Sequence, residues 1–104
     1  MLDRFHVPPD IEVRVPQDDM RATVEDIFLK TGVPSEDAIQ AADVLVYADV
    51  RGIESHGVSN MMRFYVSGLQ DGAINPKPEM KVLRDAPAIA TVDSDGGLGL
   101  TIGP

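Results

Sequence analysis

No cysteine occurs in the 104 residues. That excludes disulfides, thiolate metal ligands and cysteine nucleophiles, and it fits the cytoplasmic compartment we expect. No apolar run approaches the ~20 residues that span a bilayer, so no membrane association is expected. The opening stretch, Met1 to Asp10, holds Asp3, Arg4 and the Pro8-Pro9 pair without an apolar core, unlike a secretory signal. Basic residues are few, 9 against 17 acidic ones, and the net charge is -8. Such a surface repels phosphate backbones and argues against a nucleic-acid partner; its plainer use is solubility. No His, Asp and Glu cluster has metal-ligand spacing, so no metal is expected. Internal repeats and low-complexity segments are absent too.

What is present reads as an ordinary globular segment, 43% hydrophobic and 25% charged. A chain this short makes one small domain that buries about 60% of its unfolded surface. We expect a loose arm over residues 1–10, with His6 solvated in it. Ile11-Glu12-Val13-Arg14-Val15 alternates apolar and polar, the period of a half-buried strand. Pro16, Asp18 and Asp19 suit the start of a helix, and Met20, Val24, Ile27 and Phe28 make its apolar stripe. Gly32 stands where that helix should be capped. Ser35 is the expected cap of a second helix, with Glu36 and Asp37 in its first turn. The alanine-rich run Ala38 to Val50 predicts tight packing with Asp43 outside, ending near Arg51-Gly52. Ser59 is the expected cap of a third helix through about Leu69, with Met62, Tyr65, Val66 and Leu69 facing inward; Gly72 and Asn75-Pro76 close it.

Two late strands, Met80 to Leu83 and Ala88 to Val92, are followed by the turn Asp93 to Gly97 and the entry to another helix. The fold class is therefore α/β, an α+β arrangement in this segment: a mostly helical lobe of about three helices with one early and two late strands. Two strands placed last, with nothing after them to cover them, predict that the segment belongs to a longer design.

The run Asp49-Val50-Arg51-Gly52-Ile53-Glu54-Ser55-His56-Gly57-Val58 is the most informative. A helix ends, the chain turns, and another begins. Gly57 permits close backbone approach or a positive φ. His56 is an imidazole in the interior of the chain, a side chain able both to donate and to accept a hydrogen bond. Its place before a helix amino terminus sets it beside free N–H groups that attract anions, where it can donate to a substrate oxygen. The plainer reading is a cap or a loop bridge. Ser55 beside His56 is no hydrolase signature, because adjacent residues rarely face one another and no nucleophile elbow is present. Gly97-x-Gly99-x-x-x-Gly103 misses the dinucleotide fingerprint by one residue, and Asp93-Ser94-Asp95-Gly96 lacks the later ligands of a calcium loop.

The run YADVRGIESHGVSNMMRFYVSGLQDGAINPKPE, followed by ATVDSDGGLGLTIG, resembles the malate/L-lactate dehydrogenase family, which includes sulfolactate and ureidoglycolate dehydrogenases and some cyclic-imine reductases. The likeness runs from about Val13 to the last residue. It implies an oxidoreductase that uses NAD or NADP on a fold other than the Rossmann fold, works on a small 2-hydroxy or 2-oxo acid, and pairs as a homodimer. Ser55 and His56 match the pair that lines the family's active site, and His56 is expected to touch substrate or nicotinamide. The family's main acid/base histidine lies further along than residue 104, so by this reading the segment alone is inactive.

Two positions depart from the family pattern. Many members carry arginine four residues after the motif histidine, where it clamps the substrate carboxylate; this chain has Asn60. Many carry tyrosine eight residues after it; this chain has Phe64. The arginine at seven residues is kept as Arg63, a candidate clamp whose plainer role is a helix-surface charge. An amide cannot replace a guanidinium in charge, so Asn60 as a substrate-binding residue leaves the substrate open, including a cyclic imine. A non-catalytic module that binds a partner through exposed apolar faces of the second and third helices is the alternative from another class.

Overall fold

A computed structural model describes residues 7–104. Residues 1–6, with His6 and most of the expected arm, lie outside the described residues. The elements run α1 (Gln17–Lys30), α2 (Ser35–Val50), a 3-10 turn (Glu54–His56), α3 (Val58–Asp71), β1 (Lys81–Ala86), β2 (Ile89–Asp93) and a short α4 (Gly99–Ile102). The fold is the mostly helical α+β arrangement expected. No described helix is long and apolar enough to cross a membrane.

The early strand does not form. Ile11 and Glu12 both donate their amides to Pro8 O at 3.1 Å, making a turn, and Ile11 and Val13 are exposed. An alternating pattern becomes a strand only when a neighbour completes its hydrogen-bond ladder. Here β1 and β2 pair with each other as an antiparallel two-stranded sheet, and residues 12–15 are left without regular structure. The late hairpin is as expected, but β1 reaches Ala86. A register shift between Val82 and Arg84 breaks the alternation there and hides the strand's true length in the sequence.

The starts of α1 and α2 lack side-chain caps. Pro16 and Pro34 occupy the N-cap positions, so Ser35 is the first helical residue and not the cap. Proline's fixed φ suits the entry, and Ala38 N–H donates to Pro34 O at 2.8 Å. α1 closes with Gly32 N–H on Leu29 O and Val33 N–H on Phe28 O, both 3.1 Å. This is the Schellman pattern, and the accompanying apolar contact is made by Val33 and Phe28, both buried.

The core lies between α1 and α2. Phe28, Leu45 and Val24 are its largest fully buried side chains, and Ala38, Ala41 and Ala42 are wholly buried beside them. Alanines let the two backbones approach and leave Phe28 to fill the space between. Met62 and Leu69 of α3 and Leu98 complete the cluster. Arg21, half-buried on α1, reaches Asp43 on the outer face of α2 at 3.4 Å. Gln40 donates to Leu100 O and Thr101 O at 3.1 and 3.0 Å, tying α4 to α2 across some sixty residues. The hairpin stands apart: every residue of β1 and β2 is exposed. Its base is fastened by Asn75, whose Nδ2 donates to Asp95 O and Oδ2 at 3.1 Å, while Glu79 N–H also donates to Asp95 Oδ2.

Candidate active site

The end of α2 and the start of α3 build the candidate site. Gly52 has φ +74, the left-handed region, which glycine enters without cost. That turn lets Gly52 N–H donate to Asp49 O at 3.0 Å and Ile53 N–H to Ala48 O at 2.8 Å, a second Schellman closure. The chain then makes one turn of 3-10 helix, with His56 N–H on Ile53 O and Gly57 N–H on Glu54 O. Gly57 is the N-cap residue of α3 in extended conformation, φ -93 and ψ -168.

Ser59 does not cap α3. The cap comes from α2: Asp49 Oδ2 accepts from Val58 N–H at 3.0 Å. A Cβ on Gly57 would overlap the Asp49 carboxylate. Gly57 is thus needed for close approach, one of the two uses the sequence left open. The anion-attracting amino terminus of α3 already holds an anion, and it is the chain's own. No spacing rule flags this pair, because Asp49 sits on one helix and its partner amide opens the next.

Ser55 and His56 face each other after all, with Ser55 Oγ 2.8 Å from His56 Nδ1. Nδ1 is the ring nitrogen nearer the backbone, so a ring folded back over its own turn meets the preceding hydroxyl. The hydroxyl serves either tautomer. Donating to Nδ1, it leaves the proton on Nε2; accepting from Nδ1–H, it leaves Nε2 as an acceptor. No hydrogen bond among the described residues uses Nε2, and His56 is exposed. This is not a hydrolytic triad, in which serine meets Nε2 and a carboxylate meets Nδ1.

Asn60, in the first turn of α3, donates from Nδ2 to Glu54 O at 2.6 Å and lies 3.4 Å from Ser59 Oγ. Its amide nitrogen is therefore committed to holding the 3-10 turn against the helix. Arg63 lies three residues on, on the same side of α3. It is exposed, and no carboxylate among the described residues lies within ion-pair distance of it. Phe64 is 65% exposed and meets Tyr65 edge-on at 5.7 Å. Tyr65 packs against the core cluster, and its partial burial raises the phenol pKa above the usual 10.0. The structure thus brings Asn60, from the first turn of α3, up to the 3-10 turn that carries Ser55 and His56, and sets Arg63 free one helical turn away. An open groove of about 650 Å³ borders the same turn; its lining includes Glu54 and Ser59 but none of those four residues.

The chain matches the malate/L-lactate dehydrogenase family over residues 15–104. It is 45% identical to a malate dehydrogenase of Pyrococcus horikoshii over 91 residues, covering 88% of this chain and 25% of the relative. It is 46% identical to an L-sulfolactate dehydrogenase of Methanocaldococcus jannaschii over 78 residues, covering 75% and 22%. The solved Pyrococcus horikoshii malate dehydrogenase superposes with a TM-score of 0.82 at 45% identity, over 88% of this chain and 26% of that one. The chain therefore spans about a quarter of the length of the curated relatives it matches.

Proposed function

Because the chain belongs to the malate/L-lactate dehydrogenase family, we propose that it supplies part of the active site of an oxidoreductase that moves a hydride between NAD or NADP and the carbon beside a small acid's carboxylate. The observation that carries this reading is the Ser55–His56 pair, 2.8 Å apart on an exposed turn with the outer ring nitrogen unengaged among the described residues. Reduction of a 2-oxo acid needs a hydride at the carbonyl carbon and a proton at the oxygen; oxidation of the 2-hydroxy acid reverses both. When bound, the nicotinamide supplies or accepts the hydride. His56, oriented through Ser55, hydrogen-bonds the substrate oxygen as charge grows on it. Arg63, exposed and without an ion-pair partner among the described residues, is the candidate partner for the carboxylate.

The described residues fit the nicotinamide end of such a cofactor better than its phosphates. At the amino terminus of α3, Val58 N–H already donates to the Asp49 carboxylate, and α4, after the glycine run, is tied to α2 through Gln40. On this reading the contacts to the pyrophosphate, and those to the ribose that separate NAD from NADP, belong to other parts of the enzyme. The apolar side chains that α2 and α3 expose, Ile39, Tyr47, Val50 and Phe64, support pairing of subunits as a homodimer.

The test is reduction of oxaloacetate, pyruvate and 3-sulfopyruvate by NADH or NADPH, using an enzyme that contains this chain and following loss of the reduced nicotinamide's absorbance. His56→Ala is expected to lower turnover by about tenfold or more with the fold intact; unchanged kinetics remove His56 from the site. Asn60 in place of arginine is the reason to repeat the assay with ammonia and cyclic imines. Faster turnover of an imine than of any oxo acid would turn the assignment to imine reduction.

A further inference from the structure

We infer that Asp49 is a positioning residue for the Ser55–His56 pair. The inference rests on the role proposed for that pair and adds a residue that works through it without touching substrate. An aspartate in the last turn of α2 stands at the wrong end of its own helix, where the dipole is negative. Its carboxylate instead faces the positive amino terminus of α3, which has no acidic residue in its first turn and no side-chain cap of its own.

Asp49 also holds both ends of the loop. Its backbone oxygen accepts from Gly52 N–H at 3.0 Å where the chain leaves α2, and its Oδ2 accepts from Val58 N–H at 3.0 Å where α3 begins. The loop between carries Ser55 and His56; Ile53 N–H on Ala48 O and Asn60 Nδ2 on Glu54 O hold it as well, but Asp49 is bonded at both of its ends. Gly57 completes the device. Its φ and ψ are ordinary extended values open to any residue, so the missing side chain is there for space, and the carboxylate fills that space. A shift of α3 relative to α2 at this contact moves Gly57, and His56 is bonded directly to it.

The experiment reads the imidazole itself. Long-range proton–nitrogen correlation on the labelled chain, in a His6→Gln background, reports the tautomer of His56 and the hydrogen bond at Nδ1. Ser55→Ala defines the pattern of an unpaired ring. Asp49→Ala is expected to give that same unpaired pattern while the amide spectrum stays folded. Asp49→Asn, which keeps an oxygen acceptor in place, is expected to restore the parent pattern. A role confined to stability would lower the melting temperature and leave the ring unchanged in the folded chain, and that result overturns the inference, as does an Asn variant no better than Ala. If Asp49→Ala does not fold, Asp49→Glu replaces it, moving the carboxylate by one methylene: an unpaired ring in a folded chain supports the inference, a parent-like ring overturns it. Because no turnover is measured, an inactive enzyme with an Asp49-dependent ring would refute the proposed reaction and leave this inference standing.

Discussion

Placing a methyl group on Gly57 probes the joint between α2 and α3 most sharply. Gly57→Ala meets no backbone objection, since φ -93 and ψ -168 suit alanine; by itself that change of residue stabilises by about 0.4–1 kcal/mol through the unfolded chain. What it meets is the Asp49 carboxylate. To make room, the carboxylate must leave Val58 N–H. The variant then loses a helix cap, about 0.5–2 kcal/mol, and pays for local overpacking, about 1–3 kcal/mol. Set against the small gain, the net expectation is a destabilisation of about 0.5–4.5 kcal/mol, centred near 2.5. Asp49→Ala alone loses only the cap, about 1 kcal/mol. In the double variant the overlap is gone, so it should melt at or slightly above Asp49→Ala. The two costs are then non-additive by about 2 kcal/mol or more, well beyond the ~0.5 kcal/mol scatter of independent sites. Urea or thermal denaturation followed by far-ultraviolet circular dichroism measures it, at about 4–8 °C per kcal/mol for a chain of this size. Additive costs in the double variant would refute the contact on which the joint is built.

Three further outcomes follow from the packing. Phe28→Ala empties the space between α1 and α2, where Phe28 is wholly buried, and should cost about 3–5 kcal/mol in denaturant titration. Gln40→Ala removes both donors that tie down α4; a loss of about 1–2 kcal/mol is expected, with faster amide exchange confined to residues 99–103. Tyr65 has a raised pKa from burial. The neutral phenol is therefore favoured by folding, a contribution fully present below pH 10.0 and lost as pH rises through the higher folded value. Phenolate absorbance in a Tyr47→Phe background should show a midpoint above 10.0; a midpoint at or below it would place Tyr65 in open solvent.

The sequence alone determined whatever depends on near neighbours. The apolar stripe of Met20, Val24, Ile27 and Phe28 and the alanine run of α2 announced two packed helices, because helical periodicity is a local property. Gly52 and the residues after it announced the turn, and the SHG run pointed to Ser55 and His56. The tertiary structure decided whatever needs a partner distant in the chain. Residues 11–15 alternate like a strand, yet no described strand pairs with them, and a ladder cannot be read from one side. Ser35 and Ser59 looked like caps, but a cap is set by which oxygen reaches the free amide. For α3 that oxygen is Asp49's, delivered from another helix. Asn60 was expected at the substrate, and what the sequence could not show is that its amide nitrogen also donates to Glu54 O. Gln40 carried no signal, because its two acceptors lie sixty residues away and exist only once α4 has docked. Periodicity and turn chemistry act over a few bonds and are written in order along the chain; caps, ladders and the orientation of His56 depend on where two separate segments meet.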